Sequence, residues 1–196
     1  MRRLVRIGSF AVLGKGDAPD VSFVPPLVRR RLSPLQRIFF ALAHQVEDGA
    51  SASTVFASRD GEDTLTRRIV DDFHEDGSVS PNRFSSSVYN AAPGLWSVFT
   101  KNRAPYTAVA GGEDSVECGL LELMAGSLPA MFVYAEETED GYGVALRLVG
   151  EDLPGRDIEV LDGDPSRQPV AFDDVVRFLA GDAEVLCGRY LSLRSV

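Results

Sequence analysis

Short apolar, strand-like segments alternate with amphipathic, helix-like segments along most of this chain of 196 residues. The first strand is expected at residues 3–13, and two later strands, at 129–135 and 142–149, flank an acidic turn that ends in Asp140-Gly141. Strand–helix alternation favours a sheet with helices packed on it, whereas an Asp-Gly turn between apolar runs predicts an antiparallel hairpin. The chain is therefore predicted to be an α/β protein with a mixed sheet.

The clearest helix signal follows Ser33, which has capping-box spacing to Gln36. This helix is expected to run to about Asp48. At 100° per residue its apolar side chains share one stripe, which predicts the core face, whereas Phe40 and His44 point away from it. The residues of the stripe are Leu35, Ile38, Phe39, Leu42 and Val46.

Weaker patterns predict the other elements. In the helix at 62–73 the apolar residues Leu65, Ile69 and Phe73 are expected to face inward. The predicted strands are 54–57, 106–110, 158–161 and 185–193, and the other helices end near residues 124 and 181. Asp114 and Glu117, at the start of the first of these helices, have capping-box spacing.

Length and charge exclude several classes of protein. One domain is expected over residues 1–196, with 150–196 as a C-terminal extension that completes it.

The chain has 20 Lys and Arg against 29 Asp and Glu, a net charge of −9, which argues against nucleic-acid binding. No apolar run reaches the roughly 20 residues of a membrane span. Because Arg6 interrupts the first apolar stretch, we expect a strand there and not a leader, and hence a cytoplasmic protein.

Metal and nucleotide sites are not expected either. Cys118 and Cys187, with His44 and His74, match neither a disulfide framework nor a zinc spacing. Asp162-Gly163-Asp164 is interpreted as a plain turn, and no phosphate-binding glycine motif is present. No cofactor is therefore predicted, and Cys187 is expected to be a small buried strand residue.

Local residue preferences do not decide the secondary structure of residues 80–101. Serines and Pro93-Gly94 favour a loop, but small residues and the lack of charge between Arg83 and Lys101 favour a packed helix at an interface. Their motifs resemble the β-ketoacyl synthase family, whose N-terminal half has a thiolase-like fold. The resemblance runs from the first strand to about Val149, and it rests on Ser80-Pro81, on Asn90-Ala91-Ala92-Pro93-Gly94, and on Pro105 before a strand that enters Gly111-Gly112.

The resemblance implies half of a thiolase fold without its chemistry. Counted without gaps from the matching motifs, Glu113 occupies the position of the family's catalytic cysteine. A carboxylate can cap a helix, but it cannot carry an acyl chain as a thiolate does. Cys118 lies five residues further on, inside the expected helix. The basic residues of the family's second half are absent, and His44 and His74 lie in other elements.

A cysteine-lacking relative of this kind is similar to the chain-length factors of type II polyketide synthesis, in particular to the short class of aryl-polyene pathways. The resemblance implies a heterodimer with a catalytic ketosynthase, a shared acyl tunnel, and a strand at 106–110 that spans the dimer. The residues implied at the partner interface or tunnel are Ser86, Tyr89, Asn90, Gly94, Tyr106, Thr107 and Ala108.

Other interpretations stay open. Glu113 also fits an ordinary acidic residue in a first helical turn. The basic group Arg29-Arg30-Arg31 with Arg37 fits either a carrier-protein contact or a solvated surface. A hydrolase or acyltransferase could use Glu113 with Ser115 or Cys118, and a homodimeric scaffold or binding module could keep the fold alone.

Overall fold

An eight-stranded mixed sheet forms the centre of the molecule in the computed structural model, which describes residues 3–196. Its strands are β1 (Arg3–Leu13), β2 (Ser53–Ala57), β3 (Tyr106–Val109), β4 (Ala130–Glu136), β5 (Tyr142–Val149), β6 (Arg156–Asp162), β7 (Val185–Cys187) and β8 (Leu191–Ser195). They lie in the order β3-β2-β4-β5-β1-β6-β8-β7. β2 pairs in parallel with β3 and β4, and the remaining described pairs are antiparallel.

The helices are α1 (Pro26–Arg29), α2 (Pro34–Val46), α3 (Asp63–Asp76), α4 (Pro81–Ser87), α5 (Ala91–Thr100), α6 (Ser115–Ala125) and α7 (Phe172–Ala180). Alternation along the strands divides the core into two layers. Phe132 belongs to the layer that α6 and α7 cover on one face of the sheet, whereas Phe56 belongs to the layer that α2 and α5 cover on the other. Within the described chain, no helix combines the length and the apolar character that crossing a bilayer requires.

The mixed sheet, β1 and the β4–β5 hairpin confirm the predicted fold class. In α2 the capping box forms as predicted: Ser33 Oγ accepts a hydrogen bond from Gln36 N at 3.0 Å, and Gln36 Oε1 accepts one from Ser33 N at 3.2 Å. The C-terminal strands β6, β8 and β7 extend the same sheet through the pairing of β1 with β6.

The prediction that Phe40 points away from the core is wrong, because its side chain is fully buried. α5 packs beside α2, and the ring of Trp96 lies 5.2 Å from that of Phe40 in an edge-to-face contact. α2 is thus covered by the sheet on one side and by α5 on another, whereas its single apolar stripe indicates only one buried side. His44 is exposed, as predicted, and its ring stacks on Phe23.

The inward face predicted for the helix at 62–73 is also wrong. α3 has no buried residue, and Phe73 is 53% exposed. α3 packs mainly against α4, so its apolar side chains do not reach the sheet. The segment at 80–101 forms two helices, α4 and α5, which are separated by an extended Val88.

The strand predicted at 185–193 is in fact the hairpin of β7 and β8. Its turn interrupts the apolar run, and β7 is the last strand of the sheet. Because β7 lies at this edge, Cys187 is exposed, contrary to the prediction of a buried strand cysteine.

Candidate functional site

The candidate site is the junction at which β3 enters α6. A short 3-10 turn, Gly112–Asp114, connects the two elements, so Glu113 lies at a strand-to-helix junction as predicted. α6 approaches the sheet closely at Gly119, where a Cβ would lie 2.8 Å from the Cβ of Ala57. This close packing fixes the turn at the carboxyl end of the parallel strands.

The two polar side chains at this turn, Ser115 and Glu113, have different surroundings. Ser115 Oγ accepts a hydrogen bond from Gly111 N at 3.0 Å and donates one to Gly112 O at 2.7 Å. The Ser115 hydroxyl proton is therefore held by a backbone carbonyl, and the side chain is buried. Glu113 is exposed to solvent in the same turn.

The thiol in α6 is held in its neutral form. Burial raises the pKa of Cys118, and the nearby carboxylates of Asp114 and Glu117 raise it further. The chain's two histidines lie on α2 and α3, away from this turn. A thiolate nucleophile needs the opposite environment, with a base or positive charge beside it.

This environment predicts unequal thiol reactivity. Cys118 should react with iodoacetamide at least about tenfold more slowly than the exposed Cys187, because its thiolate fraction and its access are both lower. Mass spectrometry of the full chain at pH 8 gives both rates, and the variants Cys118→Ser and Cys187→Ser assign them. Equal or faster alkylation of Cys118 would contradict the neutral-thiol description.

Glu117 does not form the helix cap that its spacing from Asp114 indicates, since Asp114 makes no side-chain capping bond. The Glu117 carboxylate is fully buried and accepts from the backbone N–H groups of Arg189 at 3.1 Å, Leu191 at 2.8 Å and Tyr190. Arg189 also pairs with Asp114 at 3.2 Å. The start of α6 therefore holds the β7–β8 turn in place.

β3 lies at one edge of the sheet, as the predicted dimer-spanning strand requires. The carbonyls of Pro105 and Val109 accept from N–H groups at the two ends of β2. Since backbone groups alternate in direction along a strand, those of Tyr106 and Ala108 point outward, away from β2. The Tyr106 side chain is 40% exposed.

The predicted interface residues do not lie together. Tyr106, Thr107 and Ala108 lie on the edge strand, and a Cβ at Gly94 would stand 3.3 Å from Tyr106 Oη, so α5 brings Gly94 to the same edge. Asn90 is exposed at the start of α5.

Ser86 and Tyr89 lie elsewhere. Ser86 lines a groove between the helices. Tyr89 points toward β2: its hydroxyl donates to the carbonyl of Ser58, its ring lies against Gly61, and burial raises its pKa to about 12.

The groove at Ser86 brings together arginines that the sequence reading did not connect. Arg68 and Arg83 come from α3 and α4, and they join Arg30 and Arg31 around it. Arg37 is not part of this open surface, because its guanidinium donates to the carbonyls of Arg29 and Leu32. No local motif could have predicted the grouping, which depends on how the helices pack.

In the part of the chain that the structure describes, no three His, Cys, Asp or Glu side chains gather as metal ligands would.

Comparison with known proteins places this geometry in a family. The structure of the ketosynthase ApeO in complex with its chain length factor ApeC from Xenorhabdus doucetiae contains a similar chain, with a TM-score of 0.71 and 20% identity. The match covers 98% of this chain and 99% of that one. A chain of the ishigamide ketosynthase/chain length factor matches with a TM-score of 0.54 and 16% identity, over 69% of this chain and 51% of the other.

These two likenesses show the ketosynthase fold. A search of curated proteins found no significant match. The family model for the N-terminal domain of beta-ketoacyl synthase matches residues 9–145, which is well over half of the sequence. The chain therefore belongs to the β-ketoacyl synthase family, as a member matched by the model of its N-terminal domain.

Proposed function

We propose that this chain is a non-catalytic, chain-length-factor-like subunit that pairs with a catalytic ketosynthase and shapes its acyl tunnel. The pathway would be type II polyketide synthesis of the aryl-polyene kind, or a related fatty-acid-like synthesis, in the cytoplasm. The observation that carries the proposal is the junction itself. An open sheet edge leads into a turn that has Glu113, an engaged Ser115 and a neutral Cys118 in place of an activated nucleophile.

The similar solved structures support the pairing. Both are described as ketosynthases with chain length factors, and the first matches nearly the whole of this chain. In the proposed heterodimer the ketosynthase supplies the chemistry, and Glu113 occupies the position that the nucleophile has in catalytic relatives. We propose no catalytic residue for this chain.

The edge strand β3 supplies the contact in this proposal. Its outward backbone groups at Tyr106 and Ala108 can pair with a strand of the ketosynthase, which satisfies their hydrogen bonds. Thr107 lies between them, and Gly94 reaches the same edge from α5. Asn90, Tyr89 and Ser86, on and before α5, complete the set of residues that we propose for the interface or tunnel. Side chains here would limit the acyl chain by steric clash, an effect of about 1–3 kcal/mol for one extra unit.

Substitution of Ala108 by proline tests the pairing. Proline removes an outward N–H and leaves the hydrogen bonds to β2 intact, so the isolated chain should keep its stability. We expect affinity for the ketosynthase to fall by about 10- to 100-fold, since an unmade buried hydrogen bond costs about 1–3 kcal/mol. Co-expression with the ketosynthase of the same organism, followed by affinity purification and calorimetric titration, measures the loss.

Ala108→Ser is the matched control, because serine keeps the N–H and is similar in size. A chain that remains monomeric and never co-purifies with the ketosynthase contradicts the proposal. A tight homodimer that is indifferent to the ketosynthase, measured by light scattering, would favour the homodimeric scaffold. An acyl adduct on the chain alone, detected by mass spectrometry, would favour a hydrolase or acyltransferase.

A further inference from the structure

The groove between α2, α3, α4 and α5 carries a charge opposite to that of the whole chain. Four arginines line it, Arg30, Arg31, Arg68 and Arg83, and none of the described residues that line it is Asp or Glu. The chain as a whole has 29 acidic and 20 basic residues. Arg83 pairs with Asp72, whereas no carboxylate within residues 3–196 forms an ion pair with the other three. The groove is thus a local site of unneutralised positive charge.

Part of the groove is apolar, although polar side chains also line it: Ser33, Thr64, Asn82, Ser85 and Ser86. Phe99 contributes aromatic surface, its ring 5.6 Å from that of the fully buried Phe40, and Leu65, Leu95 and Val98 line the groove from α3 and α5. Val98 is 77% exposed, so its side chain is available to a ligand in the groove. Apolar surface of this kind next to fixed positive charge matches a ligand that has both properties.

The size of the groove favours a small molecule. Its volume is about 790 Å³, within the range of about 300–1,000 Å³ that is typical of small-ligand sites. An arginine fork suits a carboxylate or phosphate head group, because it can donate two parallel hydrogen bonds.

We propose that this groove binds an anionic amphiphile, a small molecule with a carboxylate or phosphate head group and an apolar tail. The head group lies against Arg30, Arg31 and Arg68, and the tail lies along Leu65, Val98 and Phe99. Ser86, which we also propose for the interface or tunnel, lines the groove, but no residue of β3 does, so the proposal does not depend on the pairing of β3 with a ketosynthase.

Binding can be measured on the full chain with simple probes. Decyl phosphate and decanoate supply the two head groups, and decyltrimethylammonium supplies the same tail with the opposite charge, each below its critical micelle concentration. Trp96 is the single tryptophan of the sequence, and its ring lies 5.9 Å from that of Phe99. Its fluorescence, together with calorimetric titration, therefore reports on occupation of the groove.

We expect at least one anionic probe to bind and the cationic probe not to bind. Arg31→Gln and Arg68→Gln should each weaken binding by about 5- to 10-fold, because each removes a charge-assisted hydrogen bond. Arg177→Gln, on α7 at the other face of the sheet, is the matched control and should leave affinity unchanged. The stronger of the two anionic probes identifies the head group.

Three results would overturn the proposal. The first is equal binding of the cationic probe, and the second is binding that Arg31→Gln and Arg68→Gln leave unchanged. The third is failure of both anionic probes; if an acidic amphipathic peptide then binds in an arginine-dependent way, the groove is assigned to a protein partner. Co-purification of the Arg31 and Arg68 variants with the ketosynthase keeps this test separate from that of β3.

Discussion

Replacement of Glu117 by alanine should lower the free energy of unfolding by about 4 kcal/mol. The buried carboxylate accepts from three consecutive backbone N–H groups in the β7–β8 turn, at Arg189, Tyr190 and Leu191. Each buried donor left without a partner costs about 1–3 kcal/mol, and a typical domain has only about 5–15 kcal/mol in total. Urea denaturation of the full chain measures the change.

Glu113→Ala is the matched control for Glu117, because Glu113 is an acidic residue just before the same helix but is exposed. It should change stability by no more than about 0.5 kcal/mol. Glu117→Gln keeps an acceptor oxygen and should lose about 2 kcal/mol, so it supplies the measurement if the alanine variant does not fold. If Glu117→Ala lowers the free energy of unfolding by less than about 1 kcal/mol, the β7–β8 turn is stable without the Glu117 hydrogen bonds.

The Glu117 test also bears on domain organisation. We infer that residues 150–196 complete one domain over 1–196, since the β7–β8 turn rests on the start of α6 and the strand β6 pairs with β1. The turn cannot carry a side chain at its first position: a Cβ at Gly188 would overlap the Glu117 carboxylate. Gly188→Ala should therefore destabilise the chain through the same contact, which the same denaturation experiment checks.

The parts of the fold that the sequence predicts are those whose signals are local. The capping box at Ser33 and Gln36 and the Asp-Gly hairpin turn each involve residues within a few positions, and both form as predicted. The junction at Glu113 was placed by its motif, because a strand that enters a Gly-Gly turn and then a helix is also a local pattern.

The failures have non-local causes. Spacing pairs Glu117 with Asp114, yet its partners lie more than 70 residues further on. Phe40 is buried by α5, and the packing of α5 cannot be inferred from the periodicity of α2. Similarly, the arginines of the groove come from separate elements, so they form one positively charged site only after α3 and α4 pack together.

Replacement of Glu62 by glutamine should remove a pH dependence of stability. Glu62 is buried beside α2, and its Oε1 accepts from Ser33 Oγ at 2.9 Å and Gln36 Nε2 at 2.8 Å, whereas its Oε2 has no partner within the described chain. Burial and, to a smaller extent, the charge of Glu137 raise the pKa of Glu62 and the two hydrogen bonds lower it, so that the pKa moves from 4.5 to about 7.

The sign follows from proton linkage. Between pH 4.5 and about 7 the folded state keeps a proton on Glu62 that the unfolded state has lost. Stability from this group is therefore fully present below pH 4.5 and is lost as pH rises toward 7, a change on the order of 3 kcal/mol. Glutamine keeps the acceptor oxygen for Ser33 and Gln36 but cannot ionise.

Urea denaturation at several values from pH 4.5 to 8 tests this expectation. The parent chain should lose stability across the range relative to Glu62→Gln, and the variant should be the more stable of the two at pH 8. Glu75→Gln, on the exposed part of α3, is the control and should follow the parent. Parallel curves for the parent and Glu62→Gln would mean that Glu62 is already ionised in the folded state. Gln36 also donates to the carbonyl of Ser86 at 3.2 Å, so the hydrogen bonds around Glu62 connect α2 with α4.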